Sequence, residues 1–232
     1  MASVPGGQFL LIDGDDTLWE NNIYFEQAIE AFIDFLAHSS MSRDQVRAAL
    51  DEVERINVTV HGYGSASFTR NLRETYERLA ERHLQPQDIE HVLLLGQRIA
   101  SQPVQVLPDV AETLSELAGR HDLMLLTKGH AEEQRLKIER SGLEEFFSAT
   151  AFVHEKDEET YRAIVQERQL DPARTWMIGN SPRSDINPAL AAGLNAVFIP
   201  HEHTWRLEKE EIVHADGRLH TLLAFGELRA LF

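Results

Sequence analysis

The 232-residue chain carries 22 lysines and arginines against 38 aspartates and glutamates, a formal charge of −16, and it has no cysteine. That balance sets up a negative field that disfavours nucleic acid and anionic membranes as partners, and the missing thiols exclude disulfides, thiolate zinc sites and cysteine nucleophiles. A hydrophobic fraction of 43%, with Trp19, Trp176 and Trp205 spread along the chain, belongs to a globular protein with a sizeable core. The opening MASVPGGQ has neither the basic nor the apolar segment of an export signal, and no apolar run reaches membrane-spanning length, so a cytoplasmic protein is expected.

The first apolar run, QFLLID over 8–13, has the length and near-continuous hydrophobicity of a strand buried on both faces of a parallel sheet. It breaks off into three aspartates within four positions, Asp13, Asp15 and Asp16. Residues 20–104 then contain no convincing strand. Phe25, Ala28, Ile29, Phe32 and Leu36 share one helical face, and Val46, Ala49, Leu50, Val53 and Ile56 share another after the capping-box sequence SRDQ. Two further helices are expected near 68–83 and 87–101, beyond the loop HGYGSAS.

From residue 105 strand and helix alternate. HDLMLLT (121–127), TWMIGN (175–180) and NAVFIP (195–200) read as strands, with FFSATAFV (146–153) as a weaker one. Helices are expected at 108–119, opened by Pro108 and closed by Gly119, at 131–141 before Gly142, at 157–169, and at about 182–192 before Gly193. The pattern predicts an α/β fold with a Rossmann-like parallel sheet, formed by 1–19 and 105–232, into which 20–104 is inserted as a helical domain.

In open α/β sheets ligands bind beyond the carboxyl ends of the strands. The residues expected there are Asp13 and Asp15, Thr127 and Lys128, Lys156, and Asn180, Ser181 and Asp185 from GNSPRSD. Each has an ordinary reading by itself: a turn or helix-cap aspartate, a strand-end threonine, a lysine in the charge run HEKDEE, an acid on a helix face. Their joint occurrence, in this order at successive strand ends, points to a site.

The same residues resemble the four motifs of the haloacid dehalogenase superfamily. DGDDTL resembles motif I, LMLLTKG motif II, Lys156 falls at the lysine of motif III, and IGNSPRSD is similar to motif IV. The helical insertion resembles the family's C1 cap. The resemblance implies an enzyme of the phosphatase type: Asp13 as the nucleophile that takes up the phosphoryl group, and Asp15 as the acid that protonates the leaving oxygen and then the base that activates water. It implies Thr127, Lys128 and Lys156 as phosphate-binding groups, and Mg²⁺ as cofactor, held by the Asp13 carboxylate, the Asp15 backbone carbonyl and Asn180, with Asp185 able to substitute. Dehalogenase members lack an acid/base aspartate at the place of Asp15, so phosphate is favoured over halide. The motif departs from the pattern at Asn180, where aspartate is usual, and at Asp16, where glycine is more common.

The expected function is hydrolysis of a small phosphate monoester. A phosphomutase of the same fold and a phosphatase-like binding or regulatory protein with low turnover are the alternatives. In the helical insertion, His61 and Tyr63 between glycines are candidate substrate contacts, with packing between helices as the competing reading. HEHTW (201–205) offers two histidines at i and i+2 without further obvious ligands, and is expected to be a loop at the rim of the site. Natural substrate and oligomeric state are left open.

Overall fold

The computed structural model describes residues 6–213 and 217–232; residues 1–5, on which part of the export-signal reading rests, lie outside that range. The chain divides into two compact units, one of residues up to Asn21 and from Val104 onward, the other of Asn22–Pro103. Among the described residues no helix is long and apolar enough to cross a membrane.

The helical unit contains α1 (Asn22–Leu36), α2 (Arg43–His61), α3 (Ser65–Leu79) and α4 (Pro86–Gln97). The capping box forms as its sequence requires: the Ser42 hydroxyl accepts the Gln45 N–H, and the Gln45 side chain accepts the Ser42 N–H at 2.8 Å. Ile29, Phe32, Leu50, Phe68, Leu72, Tyr76 and Val92 form the core, with Phe25 meeting Phe68 edge to face. One face of α2 is set differently from expectation. Ile56 is exposed, and the stripe Val46, Leu50, Val53 continues instead to Asn57, whose amide donates to Asn71 and Glu74. Steps of four, three and four residues keep a stripe aligned on a 3.6-residue helix, and Asn57 lies on that line while Ile56 does not.

The α/β unit is a six-stranded parallel sheet. Its strands are β1 (Phe9–Ile12), β2 (Asp122–Lys128), β3 (Ala149–Val153), β4 (Thr175–Gly179), β5 (Asn195–Phe198) and β6 (Leu219–Thr221), in the order β3-β2-β1-β4-β5-β6. The edge strand β6 was not expected, because only three residues of it pair and their pattern is not apolar. Side chains alternate between the two faces as the pleat requires. Leu10, Ile12, Leu123, Leu125 and Ile178 pack with α5 (Val110–Ala118) and α6 (Ala131–Ser141), whereas Leu11, Met124, Leu126 and Met177 pack with α7 (Glu158–Glu167) and α8 (Asn187–Ala191). Each such fully buried aliphatic side chain is worth about 1.5–3 kcal/mol. The result is a three-layer α/β/α core whose central strand, β1, is covered on both faces. The helix expected at 182–192 divides in two, because 182–186 is wound as a π-turn before α8 begins.

Candidate active site

The site follows from strand register. Ile12 pairs with Leu125 on β2 and with Ile178 on β4, so the residues just beyond these partners leave the sheet at one level. Asp13 is held there by its own N–H, which donates to the Ile178 carbonyl at 2.9 Å. The chain then turns: Gly14 accepts the Leu18 N–H at 2.8 Å, and Asp16 adopts φ +59°. A left-handed residue explains why glycine is common at this place in the resemblance; here aspartate tolerates it, with its carboxylate accepting the Asn21 N–H at 2.9 Å. Gly14 has no such freedom for a side chain, because a Cβ there would stand 2.9 Å from the Trp19 ring and 3.6 Å from the Thr127 hydroxyl. Thr127 is thus brought beside the aspartate turn, and it is buried.

Lys156, fully buried, bridges two carboxylates: its ammonium donates to Asp13 and, at 2.8 Å, to Asp185. Burial raises the Asp13 carboxyl to about 7; the Lys156 charge opposes this, and the neighbouring Asp185 and Asp15 add to it. Burial alone would lower Lys156, but Asp13 and Asp185 outweigh it and raise its affinity for the proton. The other oxygen of Asp185 accepts the Ser181 N–H at 2.9 Å, so both of its oxygens are occupied.

The motif IV turn is closely packed. A Cβ on Gly179 would lie 2.2 Å from Asp185 Oδ2 and 2.4 Å from its Cγ. We expect Gly179→Ala to drive Asp185 off Lys156 and to destabilise the chain by about 2 kcal/mol or more, by the measure of overpacked cores. Urea unfolding checks this; an unchanged midpoint would show that the turn can yield.

Asn180 is oriented by its neighbours. Its amide nitrogen donates to Thr204 at 3.0 Å, and its oxygen faces the Thr17 hydroxyl at 3.4 Å, which in turn donates to Asp13 Oδ2 at 3.1 Å. Oxygens from the first and fourth motifs therefore converge on one hydroxyl.

Asp15 occupies a different environment. Its carboxylate accepts hydrogen bonds from the Trp19 indole at 2.7 Å, the Gln134 amide at 2.8 Å, and Lys137, which reaches both oxygens at 2.8 Å. Burial would raise this carboxyl, but the Lys137 charge and these hydrogen bonds together hold it below the usual carboxylate range.

Of the residues singled out in the sequence, Asp13, Thr127, Lys156, Asn180 and Asp185 come together at the strand ends, with Asp15 on the adjoining turn. The Lys128 ammonium binds Ser184 at 2.7 Å and Glu208. Glu208 also accepts from Ser181, and its carboxyl, which burial would raise, is held below the ordinary range by Lys128 and these hydroxyls. The network ties the second motif to the fourth through a residue that sequence reasoning missed. Glu208 is one of three acids in the charged stretch RLEKEE, with no local signal to set it apart. Gln134 and Lys137 were missed for the same reason, although their i, i+3 spacing put them on one helical face. His61 ends α2 and Tyr63 follows it between Gly62 and Gly64, both at positive φ; these residues belong to the helical unit.

The loop at 201–205 does meet the site, through Thr204 on Asn180. Its His201 lies beside Asp16 and Glu20, and ligand atoms of the three are within 4.8 Å of one another, a proximity that the i, i+2 spacing of the histidines did not signal. Burial lowers the His201 proton affinity, against the opposing charge of Glu20.

A parallel sheet with an aspartate at the end of its central strand, paired with a buried lysine, defines an α/β fold with a charged cluster at its strand ends. The model for haloacid dehalogenase-like hydrolases matches residues 9–193, and the chain belongs to that family. It is similar to the solved structure of a haloacid dehalogenase-like family hydrolase from Xanthomonas campestris, with 32% identity and a TM-score of 0.85 over 100% of this chain and 95% of that one. Two curated relatives are each 26% identical. One is the human N-acylneuraminate-9-phosphatase, matched over 66% of this chain and 62% of its own length; the other is the pyrimidine 5′-nucleotidase YjjG of Escherichia coli K12, matched over 42% and 46%. The match thus spans about three fifths and just under half of these relatives.

Proposed function

We propose that the chain is a Mg²⁺-dependent phosphatase of a small phosphate monoester, working through a phosphoryl group carried on Asp13. The observation that carries the reading is the pairing of a buried Asp13 with Lys156 beside a second, differently held carboxylate, Asp15. Asp13 is held by Lys156 at the end of β1, and Asp15 by Lys137, Gln134 and Trp19 on the turn beyond it.

In the first step an Asp13 oxygen forms a bond to phosphorus as the ester P–O bond breaks, and the departing oxygen takes a proton from Asp15. Asp15, favoured in its ionised form by Lys137, must first gain that proton from solvent or from the water step of the preceding turnover. In the second, Asp15 takes a proton from water, whose oxygen bonds to phosphorus as the Asp13–phosphorus bond breaks. Lys156 and Thr127 would stabilise negative charge on the phosphoryl oxygens, with Lys128, bound to Ser184 and Glu208, anchoring the end of β2.

The donor set fits a hard cation. Asp13 Oδ2 and Asn180 Oδ1 both approach Thr17, and the Asn180 nitrogen is turned away onto Thr204. Asp13, Asn180 and the Asp15 carbonyl would hold the metal, and Asp185, both oxygens engaged, would act through Lys156 or a bridging water. Bound Mg²⁺ would supply the positive charge that lets an anionic nucleophile approach a phosphate. Because Asn180 is neutral, Asn180→Asp should lower the Mg²⁺ concentration for half-maximal rate by about tenfold, or ~1.4 kcal/mol; titrating the metal against turnover measures it.

The names of the curated relatives, a phosphatase and a nucleotidase, support phosphate esters as the substrate class. Release of p-nitrophenolate from p-nitrophenyl phosphate tests the reading directly. Turnover with Mg²⁺ that disappears with EDTA is expected; a chain inert at saturating Mg²⁺ towards this ester and towards sugar and nucleoside phosphates would overturn it.

A further inference from the structure

We infer that Lys137, seconded by Gln134, is a positioning residue that fixes the Asp15 carboxylate for proton transfer to the leaving group; this rests on the phosphatase reading above. Lys137 projects from α6 with a side chain only 16% exposed. Its ammonium meets three acceptors, both oxygens of Asp15 and Asn21 Oδ1, each at 2.8 Å. Three acceptors use all the hydrogens an ammonium has. Holding so flexible a side chain in one place costs rotamer entropy, which the charge-assisted contacts must offset.

Asp15 is saturated as well. An ionised carboxylate offers about four lone-pair sites, and Asp15 receives two contacts from Lys137, one from Gln134 and one from Trp19. Rotation of the group would break several of these contacts at once, so its oxygens are presented in one orientation. Gln134 shows how strongly the arrangement is imposed: its amide nitrogen is spent on Asp15 while its own oxygen stays buried without a partner. An orphaned buried acceptor is costly, yet turning the amide over would set its oxygen against the Asp15 carboxylate, which offers no donor.

Proton transfer at Asp15 requires one of these contacts to open. Because Lys137 spans both oxygens and is anchored by Asn21, it can release the one engaged in proton transfer while keeping the other. Asn21 is itself fixed, its N–H bonded to Asp16. With its ammonium engaged by Asp15 and Asn21, Lys137 acts through Asp15 by removing orientational freedom from the step, where misplacement of an ångström is costly.

The test compares esters that need the proton with one that does not. Rates on an alkyl phosphate and on p-nitrophenyl phosphate are measured for the wild-type chain, Lys137→Met and Lys137→Arg. In Lys137→Met, kcat/KM for the alkyl ester, which reports the steps through expulsion of the leaving group and leaves out the later attack of water, should fall by about 10- to 100-fold, within the range for lost acid–base catalysis. For p-nitrophenyl phosphate, whose leaving group departs without help, kcat/KM should fall by no more than about threefold. Lys137→Arg, which keeps charge and donors, should recover most of the alkyl rate. Equal losses on both esters, or none, would overturn the inference, since general damage does not discriminate between leaving groups. Should circular dichroism show Lys137→Met unfolded, the same ratio in Lys137→Gln decides. A wild-type chain that releases phosphate from neither ester removes the phosphatase reading and the inference with it, whereas an active wild type with an unaltered variant ratio removes the inference alone.

Discussion

Lys156→Met is expected to cost the protein both its stability and its turnover. The ammonium is buried between Asp13 and Asp185, and the shape of the methionine side chain approximates the lysine stem without its charge. Two neighbouring carboxylates would then share a site with no counter-charge. Removing one partner of a buried ion pair typically costs about 3–5 kcal/mol. For a chain of this size that corresponds to a fall in Tm of about 10 °C. Turnover should drop by about 10²- to 10³-fold, the range for loss of a preorganised charge at the reacting centre. The two losses separate in the double variant Lys156→Met/Asp185→Asn, which relieves the like-charge repulsion. Its Tm should recover in part while its activity does not. A single variant with unchanged Tm would mean that water or a cation reaches the pair in place of the lysine.

Asp13→Asn should also abolish turnover, by about 10³-fold or more, because an amide oxygen is a poor nucleophile towards phosphorus. Its effect on stability has the opposite sign. Burial, offset in part by Lys156 and reinforced by Asp185 and Asp15, raises the folded Asp13 carboxyl from 3.8 to about 7. Between those values the folded chain holds a proton that the unfolded chain has released. The stabilising contribution is complete below about pH 4 and is lost as the pH rises through 7. In EDTA, the wild-type Tm should therefore fall between pH 5 and 8 by several degrees more than that of Asp13→Asn, which has no group to titrate there. Thermal melts of both proteins across this range make the comparison, and parallel curves would place the burden on other residues. Since a cation favours the ionised carboxylate, added Mg²⁺ should flatten the wild-type curve. Substitutions at Lys156 and Asp13 are thus predicted to move stability in opposite directions while both silence the enzyme.

Much of this architecture was legible in the chain itself. Runs such as LLI and LMLL are apolar at every position because a parallel strand covered on both faces has no wet side, and SRDQ caps a helix through residues three apart. The strand-end placement of Asp13, Thr127, Lys156 and Asn180 followed from the same short-range patterns, since a strand that ends at a known residue fixes what comes next. The departure at Asp16 was legible as well, and its cause, a left-handed turn, became plain once φ was known.

Other features lay beyond any local pattern. Lys137 stands 122 residues from Asp15, and Glu208 stands 80 from Lys128; each is a charged side chain that, within its own helix or loop, looks like a solvated one. Ile56, expected on the buried face of α2, is exposed because it lies off the line that runs from Val46 through Leu50 and Val53 to Asn57. Hydrophobic periodicity and capping act over a few residues, so the sequence by itself determined five of the six described strands, most of the helices and the level at which Asp13 emerges. Ion pairs and shared hydrogen bonds act through space, so only the tertiary structure decided which lysine holds Asp13, which holds Asp15, and hence how the two carboxylates come to differ.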